Sequence, residues 1–180
     1  MELPIRTARL TLRAITPADF DEHLALYGDP DVVRYLYDEP HDRESIVAHF
    51  ERRLVAELPD EGGWINVAVV HEGRFVGEVG LCLVSTAHRQ CEVGYVMRPD
   101  AAGQGFATEA AAAMVELCFT GLGAHRVAGR IDARNAASAR VLEHLGMRRE
   151  SHFRENEFVK GEWTDEVVYA ITEDEWRARP

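Results

Sequence analysis

Two closely spaced glycines sit in the stretch VMRPDAAGQGFATEA, Val96 to Ala110, where an apolar run meets an alanine-rich one. A glycine turn that opens a helix can hold an anion: backbone N–H groups and the helix dipole face it, and no Cβ blocks its approach. Three phosphate-binding designs use such a turn. A P-loop needs GxxxxGK[ST], and the only lysine in the chain is Lys160. The dinucleotide fingerprint GxGxxG/A needs Gly or Ala where Thr108 stands, and an acid about twenty residues on, where His125 and Arg126 lie. The third design is strand, then GxGxA, then helix. It fits: Gly103, Gly105 and Ala107 keep one face small while Thr108 and Glu109 open the helix, so a pyrophosphate could lie against the turn. By itself the pattern also suits glycines that only turn the chain.

The strand before the turn adds a second feature. Gly94 interrupts an otherwise β-branched and aromatic run, a sign of a bulge or of a second backbone lying close, and Pro99 ends the ladder. A strand that splays from its neighbour leaves unpaired N–H and C=O groups, and an amide-bearing chain such as pantetheine can pair with them as an added strand would. Further on, Asn135 and Ser138 are spaced as an N-cap and the third helical residue, which by itself accounts for an asparagine there.

Nearer the N-terminus, Ala8 to Ile15 alternates polar and apolar residues as a half-buried strand does. Thr16-Pro17 opens a short helix that carries Phe20, Leu24 and Tyr27 and ends near Gly28. A second amphipathic helix is predicted over Asp42 to Leu58, with Ile46, Phe50 and Leu54 on one stripe. Strands are expected at Trp64–His71, Arg74–Val84 and Gln90–Met97, with Glu72-Gly73 as a hairpin turn. After the glycine turn come a helix (Ala107–Phe119), a strand (Arg126–Asp132), a helix (Asn135–Leu145, stopped by Gly146) and strands near Glu150–Phe158 and Trp163–Ile171.

The 180 residues, 46% of them hydrophobic, suffice for one core, and neither linker nor repeat divides them, so a single domain spanning 1–180 is expected. A net charge of −11 argues against a nucleic-acid partner and favours a cationic one. No apolar run of membrane-spanning length and no signal-peptide plan is evident, so a cytoplasmic protein without a membrane partner is expected. Cys82, Cys91 and Cys118 lack CxxC spacing and read as buried thiols. Eight histidines show neither HExxH nor paired ligand spacing, so they read as packing, surface and helix-end residues, and no metal is expected.

The chain resembles the GNAT superfamily of acyl-CoA-dependent N-acyltransferases, and within it the Rim-type ribosomal-protein N-terminal acetyltransferases. The likeness lies in four ordered stretches: TARLTLRAITPADF from Thr7, CEVGYVMRPDAAGQGFATEA from Cys91, DARNAASARVLEHLGM from Asp132 and GEWTDEVVYAI from Gly161. It implies an α/β (α+β) fold: a mixed, mostly antiparallel sheet of about seven strands flanked by helices, with acetyl-CoA between two splayed central strands. Val96, Met97, Gly103, Gln104, Gly105, Phe106, Ala107, Thr108 and Asn135 would bind the cofactor. Glu92 matches the glutamate that serves as base, and Ser138 would stand near the sulfur as acid. A backbone N–H near Val96 would meet the oxyanion. The acceptor would be a primary amine, a peptide N-terminus or a small cation, walled by the segment between the first two helices (Asp29, Asp31, Asp38, Glu39) and the last hairpin (Glu155, Glu157, Glu162). Two positions depart from the pattern: Ala102 stands where Gln or Arg is common, and Leu142 where many relatives carry a tyrosine acid. A sensor that binds acyl-CoA without turnover is the alternative, and assembly as a homodimer is left open.

Overall fold

The computed structural model describes residues 2–55, 57 and 60–179, built around one eight-stranded sheet. The strands are β1 (Ile5–Arg6), β2 (Leu10–Ala14), β3 (Trp64–His71), β4 (Arg74–Ser85), β5 (Gln90–Met97), β6 (Arg126–Asp132), β7 (Arg148–Val159) and β8 (Glu162–Thr172). Their spatial order is β1-β2-β3-β4-β5-β6-β8-β7, antiparallel throughout except for β5 and β6. The mixed sheet is as expected, with one strand more because Ile5–Arg6 pairs along the β2 edge. Glu72 and Gly73 both have positive φ, 49° and 79°, as a tight hairpin between β3 and β4 requires.

The helices are α1 (Phe20–Tyr27), α2 (Pro30–Val33), α3 (Ile46–Glu51), α4 (Phe106–Thr120), α5 (Ala136–His144) and α6 (Glu173–Arg177). Alternation along the strands sends side chains to two cores. Val79, Leu81, Cys91, Val93, Val127 and Ile171 meet Ala110, Ala111, Met114 and Cys118 of α4 on one face. The alanines let the helix lie close to the sheet, and full burial of side chains such as Met114 contributes about 1.5–3 kcal/mol each. On the other face α1 to α3 bring Leu26, Tyr27, Val33, Ile46 and Phe50 onto Ala68 and Phe75.

The second helix is much shorter than Asp42 to Leu58. The Asp42 side chain accepts from the N–H groups of Glu44 and Ser45, so an Asx turn occupies what would be its first turn. Beyond Glu51, Leu54 and Val55 are exposed, leaving no apolar face to hold further turns, and Leu58 lies outside the described residues.

The central pair does splay. Parallel pairing of β5 and β6 covers only Gln90–Arg126, Cys91–Val127 and Glu92–Ala128. Past Glu92, β5 runs on with β4 while β6 runs on with β8, so Val93–Met97 and Gly129–Asp132 diverge.

Candidate active site

The glycine turn forms an open anion cradle at the wide end of this splay. Gly103 and Gly105 have φ of 75° and 78°, conformations that disfavour any residue with a Cβ. The first bond into α4 is Glu109 N–H to Gly105 O, 3.0 Å. Among the described residues no loop carbonyl or side chain accepts from the amides of Gly103, Gln104, Gly105, Phe106, Ala107 or Thr108, and Gly105 supplies no side-chain cap. Free donors and the positive end of a 15-residue helix thus converge on exposed ground. Phe106 holds the turn down, its ring buried beneath His71 and the Arg9 guanidinium. Arg9 escaped the sequence reading: it donates to Gln104 O (2.9 Å) and pairs with Glu109 (2.7 Å). Its Nη2, without a partner among the described residues, lies 3.4 Å from where a Gly105 Cβ would stand. Only the fold brings position 9 to position 105.

Gly94 is neither a bulge nor a point of backbone approach. Pairing runs unbroken through Gly80–Gly94, and the irregularity in this ladder lies between Leu83 and Ser85. A Cβ at Gly94 would instead stand 3.3 Å from the Trp64 indole, so the glycine makes room for a ring beside Glu92 on the same sheet face. Val96 also needs correction. It pairs with Glu78 across β4, in the ladder that continues with Arg98 N–H to Val76 O at 3.0 Å, so its own N–H points away from the splay. By alternation the amides that face the opening are those of Val93, Tyr95 and Met97.

Glu92 stands where pairing with β6 stops, opposite Ala128 and Cys82. Burial pushes its carboxyl up to about 7; Arg130 opposes the rise, while the charges of Glu166 and Glu157 add to it. Cys91, one residue back, is buried in the core as expected. A cavity of about 110 Å³, lined in part by the same Arg130, Glu157 and Glu166, lies between the segment after α2 and the β7–β8 hairpin, the two stretches expected to wall an acceptor. They are tied together: Tyr37 O–H donates to Glu157 Oε2 (2.6 Å) and Lys160 Nζ to Val33 O (2.6 Å). Most charges here are internally paired. Arg130 grips the buried Glu166 through two bonds of 2.8 and 2.7 Å, and Arg134 bridges Asp132 and Glu162. Asp38 is turned elsewhere, toward His41 and His49. The acidity of this region therefore rests on Glu92 and Glu157 rather than on the loop acids as a group.

On the far side of the splay, Asn135 caps α5 by accepting from Ser138 N–H at 3.0 Å, which uses its Oδ1 and leaves the Nδ2 amide free to donate. Tyr95 O–H crosses the opening to donate to Ser138 O (3.0 Å), and its burial holds the phenol above its ordinary pKa. A half-buried strand tyrosine reads as core packing in a sequence, and nothing local to Tyr95 signals its reach to Ser138. Leu142 is buried in the core, its side chain packed where a Cβ on Gly129 would stand, and can take no part in proton transfer.

A wedge open between two parallel central strands, with free strand amides on one side and an uncapped helix start at its wide end, is the architecture of the GNAT acetyltransferases. The chain belongs to this family, whose Acetyltransferase (GNAT) domain matches residues 9–148. It is an enzyme that transfers an acetyl group from acetyl-CoA to an amine. Among relatives, it is 29% identical to the uncharacterized N-acetyltransferase YnaD of Bacillus subtilis (strain 168), over 96% of this chain and 98% of that one. The crystal structure of a GNAT-family acetyltransferase from Bacillus anthracis superposes with a TM-score of 0.85 at 28% identity, over 96% of this chain and 99% of that one. The spermidine N-acetyltransferase from Vibrio cholerae, solved with CoA and spermine, gives a TM-score of 0.80 at 21% identity, over 95% and 99% of the two chains; at that identity the fold alone is shared.

Among the described residues no helix is long and apolar enough to cross a membrane.

Proposed function

We propose that the acceptor is a primary amine that arrives as a cation, that Glu92 takes its proton, and that Ser138 returns a proton to the departing thiolate. Bound acetyl-CoA supplies the thioester carbonyl. The amine nitrogen bonds to that carbon and the C–S bond breaks; the second proton shed by the nitrogen replaces the one Ser138 gives to the thiolate, and no covalent enzyme intermediate is needed. A typical primary ammonium has a pKa of about 10.4, so a base must accept its proton before attack. The observation that carries the reading is Glu92: a carboxyl near neutrality where pairing of the splayed strands stops, within the field of Arg130, Glu157 and Glu166 of the acceptor cavity.

Each remaining residue has a defined task. The amides of Gly103 through Thr108 would receive the pyrophosphate, with Arg9 beside them, and the amides of Tyr95 and Met97 the pantetheine arm and the carbonyl oxygen. Asn135 Nδ2 would donate to the pantetheine. Ser138 Oγ bonds to no other group among the described residues and is free to turn toward the sulfur.

The resemblance to Rim-type enzymes implies a peptide N-terminus as acceptor. The bonds of Tyr37 to Glu157 and of Lys160 to Val33 close the acceptor wall, and this favours a slender cationic amine. Because only fold is shared with the spermidine enzyme, Glu92 and Glu157 carry the argument for a cation. The test is thiol release from acetyl-CoA with a panel of cationic, neutral and anionic amines and short peptides. Turnover led by cationic small amines is expected; a neutral or anionic amine as best acceptor overturns the reading.

A further inference from the structure

The second core holds a polar chain that the acetyl transfer does not use. His23, His49 and Glu78 are all buried beneath α1 and α3, and Asp38 and His41 approach from the loop after α2. The protons along this chain are determined from both ends. The Glu78 carboxylate only accepts, so His23 Nδ1–H donates to it at 2.5 Å, leaving His23 Nε2 to accept from His49 Nδ1–H at 2.8 Å. At the other end Arg53 Nη2, which only donates, lies 3.2 Å from His49 Nε2, so that nitrogen carries a lone pair.

His41 reaches the same state independently. Ser45 Oγ donates to Asp42 Oδ1 at 2.8 Å, so at 3.3 Å it accepts from His41 Nδ1–H. In neutral His41 the lone pair then sits on Nε2, a buried atom with no hydrogen-bond partner among the described residues. This nitrogen is 3.8 Å from Asp38 Oδ1, and His49 Nε2 is 3.9 Å from Asp38 Oδ2. With His41 neutral, three acceptors converge, their ligand atoms all within 4.8 Å of one another, and the one proton that reaches them is the Arg53 N–H on His49 Nε2. Converging lone pairs are unfavourable unless a cation lies between them.

We infer that Asp38, His41 and His49 form a binding site for a divalent transition ion of the zinc class, with water as the fourth ligand. Two imidazole nitrogens and one carboxylate suit Zn²⁺ or Co²⁺ and disfavour Mg²⁺ and Ca²⁺, which take oxygen ligands. Tetrahedral zinc bonds of about 2.0–2.1 Å place neighbouring ligand atoms about 3.3 Å apart, so ligand atoms spread over as much as 4.8 Å must draw together by up to about 1.5 Å. The Glu78–His23–His49 relay orients the ligand ring, as an outer carboxylate does in metal sites. Arg53 is the competitor: its donation to His49 must yield, and its Nε, 3.6 Å from Glu78 Oε2, already has a carboxylate to move toward. Asp38 directly follows Tyr37 of the acceptor wall, so the ion would steady that wall. This last consequence rests on the acceptor reading, whereas metal binding does not.

The experiment is a calorimetric titration of chelator-treated full chain with Zn²⁺, repeated with Co²⁺ while its visible absorption is followed. One equivalent of Zn²⁺ and the bands of a four-coordinate cobalt site are expected. D38N and H41A, both near the surface and confirmed folded by melting, should each weaken Zn²⁺ at least tenfold, while R53A should tighten it. No uptake of ion, affinity in D38N and H41A unchanged from the parent, or displacement of Zn²⁺ by equimolar Mg²⁺ or Ca²⁺ would each overturn the site. None of these readouts depends on acetyl transfer.

Discussion

Glu92 is a carboxyl that the fold makes reluctant to ionise, and this has two measurable consequences. As a base it must be ionised, so kcat/KM should rise with pH through about 7, well below the limb set by an amine of pKa about 10.4. Glu92→Gln should remove that limb and lower kcat/KM by about 10²- to 10⁴-fold. The second consequence is in stability. The folded value lies above the ordinary 4.5, so the folded state holds its proton more tightly than the unfolded chain does. Stability from this group is therefore complete below about pH 4.5 and is lost as pH rises through about 7. Melting curves should show Glu92→Gln matching the parent at pH 4 and exceeding it at pH 8; a variant less stable at pH 8 would contradict burial as the cause. Ser138→Ala should lower kcat and leave acetyl-CoA affinity unchanged. If Tyr95→Phe lowers kcat instead, with Ser138→Ala silent, the phenol is the acid.

At the scale of the element, the start of α4 works because nothing caps it. Every other helix start that has a side-chain cap, such as Asn135 on α5 or Thr172 on α6, uses up a donor that the α4 start leaves free. Gly105→Asp would put a carboxylate at the mouth of the cradle. Its φ of 78° adds about 1–2 kcal/mol of strain for a residue with a Cβ. Acetyl-CoA affinity should fall at least about tenfold, or 1.4 kcal/mol, in a calorimetric titration of protein shown to be folded. Arg9→Ala should weaken the same affinity with no backbone strain, and unchanged affinity in both variants would remove the cradle assignment.

The whole molecule supplies the field in which the acceptor arrives. A formal net charge of −11 surrounds a cavity whose own charges are largely paired, so attraction of a cationic amine comes from long-range potential together with Glu92 and Glu157. Raising ionic strength shortens the Debye length from about 10 Å at 0.1 M to about 3 Å at 1 M. KM for the best acceptor should rise along a salt series, and Glu157→Gln should raise it severalfold at low salt. A KM independent of salt would leave the acetyltransferase assignment standing and remove the cationic acceptor.

Much of the fold was legible because it follows from short-range chemistry. Strand alternation, the Glu72-Gly73 hairpin, the Gly103–Gly105 turn and the Asn135 cap are each specified within a few residues, and β6 lies where periodicity placed it, at Arg126–Asp132. The second helix was misjudged because an apolar stripe gives no sign of the Asx turn at Asp42 or of the exposed end beyond Glu51. Contacts between distant segments were beyond local reading. Arg9 reaches the cradle from β2's approach, Trp64 explains Gly94, and the ladder register turns Val96 N–H away from the splay. The histidines show this limit most sharply. Spacing alone speaks against a metal, yet His41 and His49 meet Asp38 because a loop and a helix pack over one buried glutamate. By itself the sequence determined which backbone turns and caps exist, since those depend on neighbours along the chain. Only the tertiary structure decided which side chains share a space, and with it the pKa of Glu92 and the convergence of three lone pairs, since burial and proximity are properties of packing.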